Sequence, residues 1–217
     1  APNGSNLHRN VIFRDDGERA RQVFPLSAYD TEDPERLWDW MEMYESQTDG
    51  RVLALAHNGN ISNGLMFDDA TLSGEPLTAE YAARRQRFEP IYEVTQSKGD
   101  GEAHPMLSPD DQFADFETWD AGSFGPDPKT PEMLPREYAR EAYKRGLAYG
   151  ASLGTNPFKF GMVGSTDTHT GLSTAQEDNY FGKIAALEPT ADPIRFEEAV
   201  IGRLASGEED KIRAWQA

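Results

Sequence analysis

Two side chains with metal-binding chemistry stand two positions apart in the second half of the chain. Asp167 and His169 come just after residues 160–164, an uncharged stretch with the composition of a buried strand covered on both faces. In extended backbone, positions i and i+2 point to the same side. A carboxylate and an imidazole at the end of a parallel strand therefore predict half of a metal site. The alternative is a surface turn, with a capping aspartate and a solvated histidine.

A second uncharged stretch, residues 52–56, also ends at a histidine. His57 is followed by Asn58 and Asn60, with a glycine between them, so the layout of residues 160–169 occurs twice. A histidine in this position can be a hydrogen-bonded structural residue. The repetition favours a binding site at the ends of two strands.

A carboxylate and an ammonium group follow at a third apolar stretch, residues 91–95. Glu93 lies among apolar neighbours, where an ionised carboxylate is costly unless a metal or a base accompanies it. The alternative is an outward-facing, solvated glutamate. Lys98 lies in the polar loop that comes next, where its charge could meet an anion.

Strands and helices alternate along the sequence, which predicts an α/β fold with a parallel sheet. Residues 1–9 are expected to be loose. Residues 22–26 can be extended, but Pro25 favours an edge strand or a loop there. The predicted strands are 10–14, 52–56, 91–95 and 158–163, and the predicted helices are 31–48 (capped by Thr31), 78–88, 135–153 and 193–204.

The composition limits the possible partners. The 217 residues include 38 acidic and 21 basic side chains, a formal charge of −17, which disfavours nucleic acid and anionic lipid. A small anionic substrate remains compatible if metal ions neutralise the site. There is no cysteine, so thiolate chemistry and disulfides are excluded. No apolar run reaches the ~18 residues that a membrane span needs.

A long proline-rich excursion, residues 105–134, separates the strand of Glu93 from the helix that leads to Asp167. Long segments without regular structure are often functional lids. Trp119 and Phe124 give this one apolar surface to pack. We expect it to be ordered and to cover one side of the site, with Trp119 packed. The alternative is a solvated excursion.

Three segments, residues 56–60, 91–99 and 164–169, together resemble a known bacterial family. Most of residues 6–185 look like domain-of-unknown-function family 3604, which is similar to the PHP (polymerase and histidinol phosphatase) phosphoesterases. The segment at His57 resembles the third PHP motif, and Asp167-x-His169 resembles the fourth. The resemblance implies a partial or distorted (β/α) barrel of PHP or TIM-like type, with metal ions at the strand ends.

The resemblance also implies a role for each candidate residue. The metal would be a divalent ion such as Zn, Mn or Fe. The implied metal ligands are His57, Asp167, His169 and Glu93; the implied catalytic residues are Glu93 and Lys98; and the implied substrate-binding residues are Asn58, Asn60 and Lys98.

The sequence departs from the PHP pattern in one respect. PHP proteins open with a His-x-His pair, whereas the histidines here are His8, His57, His104 and His169. The chain also has too few strands for a seven-stranded barrel. We therefore expect residues 1–217 to be a single domain, the C-terminal or internal part of a longer barrel whose missing N-terminal part is a partner.

These inferences favour a metal-dependent hydrolase of a small-molecule phosphoester, in which water is the nucleophile. The alternatives are a metallohydrolase of C–N or C–O bonds and a non-catalytic binding or structural fragment. As a fragment, the chain alone is expected to bind metal weakly and to hydrolyse little. The sequence leaves the compartment and the oligomeric state open.

Overall fold

The computed structural model describes residues 5–96, 98–120, 122–123 and 125–169. Two short 3-10 turns, Gly59–Ile61 and Leu134–Arg136, accompany the helices and strands. In chain order the elements are β1 (Arg9–Phe13), α1 (Gly17–Ala20), α2 (Pro34–Thr48), β2 (Val52–His57), α3 (Ala79–Phe88), β3 (Ile91–Gln96), β4 (Gly99–Asp100), α4 (Ala139–Leu153) and β5 (Gly161–Gly164).

The strands form one mixed sheet. β3 pairs in parallel with β2 and with β5, so the carboxyl ends of these three strands lie at one edge. β1 is antiparallel to β2, and β4 is antiparallel to the end of β3. The α/β class and the parallel core are thus confirmed. The expectation that the first strand is parallel was wrong. Alternation of strands and helices along the chain does not fix the direction in which a given strand runs in the sheet. The described strands do not close into a barrel.

Helix α2 begins and ends close to its predicted limits. The carboxylate of Asp33 accepts the backbone N–H of Glu35 at 2.9 Å, so Asp33 is the cap. The predicted cap, Thr31, accepts the N–H of Asp33 instead, at 3.1 Å. The helix ends at Thr48, and the residue that caps it, Asp49, is left-handed with φ 54°. Its buried face is formed by Trp38, Met41 and Tyr44.

One face of the sheet carries the hydrophobic core. Alternate strand residues point toward it, such as Ala54 in β2 and Tyr92 in β3. Helices α2, α3 and α4 all contribute to the same buried cluster, for example through Trp38, Phe88 and Ala142. No helix in the described ranges is long and apolar enough to cross a membrane.

The opposite face carries the candidate site at its edge and aliphatic residues beyond it. His57 and Glu93 are register partners, and Val163 of β5 is the partner of Glu93. Further from the edge, Ile12 of β1 pairs with Leu53 of β2. Ile12 is 47% exposed and Val163 is 38% exposed. This face therefore presents apolar side chains that the helices do not cover.

The prediction that the strand before Asp167 is buried on both faces was wrong. All residues of β5 are exposed, including Met162 at 45%. Burial of this strand was predicted only from the absence of charged residues. Glycine at both ends of the strand supplies no side chain to bury, so such a strand is compatible with exposure.

Four smaller expectations remain. Residues 22–26 form a loop, the alternative that Pro25 favoured, and the helix predicted from residue 135 begins at Ala139, after a 3-10 turn. The expectation of a loose start fails at Asn6, which is 1% exposed. The predicted helix 193–204 lies outside the described residues.

Candidate functional site

The candidate site begins with a buried pair at the ends of β2 and β3. The parallel register places His57 directly opposite Glu93, and both residues are 4% exposed. The ring Nδ1 of His57 lies 3.0 Å from the Glu93 carboxylate. A carboxylate only accepts hydrogen bonds, so the proton is on Nδ1 and the lone pair of the ring is on Nε2. Glu93 is thus a buried carboxylate with a basic partner and not a solvated side chain.

Asp167 joins this pair from the segment after β5. Its carboxylate lies 3.9 Å from Nδ1 of His57 and 3.4 Å from Nε2 of His169. Asp167 has φ 53°, so it is left-handed and not extended as the i, i+2 argument assumed. The side chains of Asp167 and His169 do meet, but a turn brings them together. His57, Asp167 and His169 therefore converge, as expected.

Lys98 closes the cluster. Its ammonium group forms an ion pair with the carboxylate of Asp167 and lies 3.4 Å from the side-chain oxygen of Gln96. Lys98 is 5% exposed, so this pair is shielded from solvent. Among the described residues, no three His, Asp or Glu side chains are arranged as a ready-made metal cage. The cluster in this form is held by hydrogen bonds and by one buried ion pair.

A cavity of about 570 Å³ opens beside the cluster. His57, Lys98, Asp167 and His169 form one part of its wall. Another part comes from the segment that leads into β1, including His8, whose ring centroid lies 5.8 Å from that of His57. No sequence pattern singles out His8, because the antiparallel direction of β1 is what brings the start of that strand to this edge.

The two asparagines after β2 have different environments. The side-chain oxygen of Asn58 accepts from Gln96, while its amide nitrogen is buried without a partner in the described structure. The amide of Asn60 donates to two backbone carbonyls, those of Lys98 at 2.9 Å and Trp119 at 3.1 Å. Asn58 therefore has an unused donor but is not among the residues that line the cavity, whereas Asn60 fixes the loop that carries Lys98.

The turn after His57 depends on a glycine in close contact with its neighbours. The N–H of Gly59 donates to the hydroxyl of Tyr92 at 2.9 Å, and burial raises the pKa of Tyr92 well above its usual value. A Cβ at position 59 would lie 2.5 Å from the carbonyl oxygen of Glu137 and would collide with that hydroxyl. The turn can therefore lie against Tyr92 and the backbone of Glu137 only because residue 59 is glycine.

The excursion at 105–134 acts on the site through its backbone. None of its described residues lines the cavity, so the expected lid position is wrong for this part of the chain. Trp119 is half-buried and contributes the carbonyl that Asn60 binds. Further along, Lys129 donates to the carbonyl of Asn60 and lies 2.6 Å from the buried carboxylate of Glu137. Phe124 lies outside the described residues.

Comparison with known proteins identifies a family. No curated protein matches the chain. No solved structure matches it either. A family model described as protein of unknown function (DUF3604) matches residues 1–216, nearly the whole chain. The chain therefore belongs to the DUF3604 family.

Proposed function

We propose that the site is that of a metal-dependent phosphoesterase acting on a small-molecule phosphoester. The observation that carries this proposal is the convergence of His57, Asp167 and His169 beside a cavity, with Glu93 and Lys98 in contact with them. Imidazole and carboxylate groups are the ligands that Zn, Mn and Fe take in hydrolases. The cavity has the volume of a small-ligand site.

The residues at this edge fit a divalent ion by their chemistry. Glu93 holds Nδ1 of His57, which leaves Nε2 as the ring's lone-pair donor. Asp167 and His169 supply the other donor groups. When bound, the ion would polarise a phosphoryl oxygen and lower the pKa of water at the site.

The chain's own side chains would bind and orient the phosphoester. The ammonium of Lys98, which lines the cavity, can stabilise the negative charge on the phosphoryl oxygens. The side-chain amide of Asn60 holds the Lys98 loop by donating to the backbone carbonyl of Lys98. Because Lys98 is paired with Asp167 in this structure, a phosphoryl oxygen would share the ammonium with that carboxylate.

We further propose that the sheet is part of a PHP-type barrel completed by chain beyond these residues. The support is the aliphatic face that the described helices leave uncovered, on which Ile12 and Val163 are exposed. Parallel sheets normally have both faces covered. In this proposal the full-length protein carries the activity, and the 217-residue chain alone binds metal weakly.

The test uses the full-length natural protein, stripped with a chelator and reloaded with Zn²⁺, Mn²⁺ or Fe²⁺. Metal content is measured by mass spectrometry, and hydrolysis is measured with p-nitrophenyl phosphate. We expect stoichiometric metal, and we expect Asp167→Asn to lower kcat/KM by at least about 100-fold. The exposed Asp110→Asn is the matched control. A metal-loaded wild type without phosphatase activity contradicts the proposal.

The contact between Lys98 and Asp167 favours a second candidate, a non-catalytic binding site. The ammonium lies on a carboxylate that the metal proposal needs. In this case the protein binds a ligand without metal, and the loaded protein turns over neither phosphoesters nor substrates with C–N or C–O bonds. The same assays, run with and without metal, separate the two candidates.

A further inference from the structure

Asn6 is a buried amide in the wall of the cavity, and one of its hydrogen-bonding groups is unused. It is 1% exposed, and it lines the cavity together with Lys98 and Asp167. Its backbone N–H donates to the carbonyl of Ile61 at 3.0 Å. That bond fixes Asn6 to the turn that follows His57.

The orientation of the Asn6 amide is set by a second hydrogen bond. Its Oδ1 accepts the backbone N–H of His8 at 3.0 Å. A backbone N–H needs an acceptor, so the oxygen must occupy that position and the NH₂ group must occupy the other. That nitrogen is buried and has no partner in the described structure.

An orphaned buried donor is costly, because the hydrogen bond lost from water is not replaced. Its retention at a cavity is explained if a ligand supplies the acceptor. The cavity wall contains the ammonium of Lys98, which attracts an anionic oxygen. It also contains the carboxylates of Glu32, Asp33 and Asp167, whose charge a bound divalent ion would offset.

We propose that Asn6 is a substrate-binding residue whose amide NH₂ donates to a phosphoryl oxygen of the bound ligand. This inference rests on the phosphoesterase proposal for the nature of the anion. It adds a binding group from the segment before β1, on the opposite side of His57 from Glu93 in the register of the sheet.

The test compares two variants that make the same chemical change in the same cavity. Asn6→Asp keeps an oxygen for the N–H of His8 and removes the donor. Asn10→Asp adds the same charge at an exposed position of the cavity wall. Inorganic phosphate is titrated calorimetrically into the Mn²⁺-loaded full-length protein, and Mn²⁺ alone is titrated separately.

We expect Asn6→Asp to weaken phosphate binding about 10- to 100-fold, the effect of a lost hydrogen bond to a charged group. Asn10→Asp should weaken it by less than about threefold. Asn6→Ala, which adds no charge, should also weaken phosphate binding, with Mn²⁺ affinity unchanged.

Equal weakening by both aspartate variants would show an effect of charge alone and would overturn the proposal. Wild-type phosphate affinity in Asn6→Asp, or a wild-type protein that binds Mn²⁺ but not phosphate, would overturn it too. Failure of the phosphoesterase proposal looks different: the protein binds phosphate through Asn6 but does not hydrolyse p-nitrophenyl phosphate.

Discussion

Glu93 is a buried residue whose side chain can position its neighbour His57. It is buried, and its Oε2 lies 3.0 Å from Nδ1 of His57. Histidines that bind metal usually donate their other N–H to a carboxylate or carbonyl, which fixes the ring. In the metal proposal we therefore expect Glu93 to orient His57, rather than to be the direct ligand that the family resemblance implied.

Replacement of Glu93 tests this role. Glu93→Gln keeps an oxygen for the His57 N–H but loses the charge, so we expect Zn²⁺ affinity to fall about 10- to 100-fold with the fold intact. Competition with a coloured chelator measures the affinity, and circular dichroism checks the fold. Glu75→Gln, at an exposed position, should change neither. Loss of a whole equivalent of metal would instead make Glu93 a ligand.

Residue types at strand ends predicted most of the cluster. His57, Asp167 and His169 could be selected because each stands just beyond an uncharged stretch. Asn6 and His8 could not, because they precede a strand, and only its antiparallel direction brings them to the same edge. Spacing along the chain carries no signal for such a neighbour.

At the scale of elements, the excursion between β4 and α4 contacts the turn that carries Asn60 and does not line the cavity. Lys129 is the link, because its ammonium contacts both the carbonyl of Asn60 and the carboxylate of Glu137. Burial raises the pKa of Glu137, and the charge of Lys129 opposes that rise. The other oxygen of Glu137 accepts the N–H of Gly64 at 3.0 Å.

Removal of this lysine should loosen the excursion. Lys129→Met leaves Glu137 as a buried carboxylate without its cation, and breaking such a pair typically costs about 3–5 kcal/mol of unfolding free energy. Urea unfolding measures the change. Lys144→Met removes an exposed lysine that pairs with Glu141 and should cost less than about 0.5 kcal/mol. Equal effects of the two variants would contradict a structural role for Lys129.

The sequence indicated that the excursion was ordered but misplaced it. Prolines and apolar residues predicted a packed segment, but Trp119 is only half-buried, and Met106, Phe113 and Phe116 are exposed. The direction in which a long segment leaves a sheet depends on tertiary contacts, such as the bond from Asn60 to the Trp119 carbonyl. Those contacts join residues far apart in the chain, and no local pattern encodes them.

The whole molecule has two unlike sheet faces. One is buried under α2, α3 and α4, and the other presents Ile12, Leu53 and Val163 around the candidate site. The uncharged composition of the strands predicted that they would be buried, and this is correct only for the face that the helices cover. It could not show that the described helices leave the second aliphatic face uncovered, because an apolar residue type does not indicate which element packs on it.

One buried carboxylate, Glu89 at the end of α3, joins elements that are distant in sequence. It lies 2.9 Å from Arg9 of β1 and 3.4 Å from Arg85 of α3, and it accepts the indole N–H of Trp38 in α2 at 3.0 Å. Burial opposes ionisation of Glu89, but the two arginines outweigh it, so its pKa is lowered from 4.5. Glu89 therefore stabilises the fold as an anion.

A pKa lowered on folding gives a definite pH dependence. The stabilisation by Glu89 is fully present above its unfolded value of 4.5, and it is lost as the pH falls from 4.5 through the lower folded value. Glu89→Gln leaves Arg9 and Arg85 buried without their anion and should cost about 3–5 kcal/mol at neutral pH. Urea unfolding from neutral pH down through 4.5 should show the wild type and the variant converging in stability as Glu89 becomes protonated. The exposed Glu75→Gln should follow the wild type throughout, and a constant gap between Glu89→Gln and the wild type at every pH would contradict this account of the carboxylate.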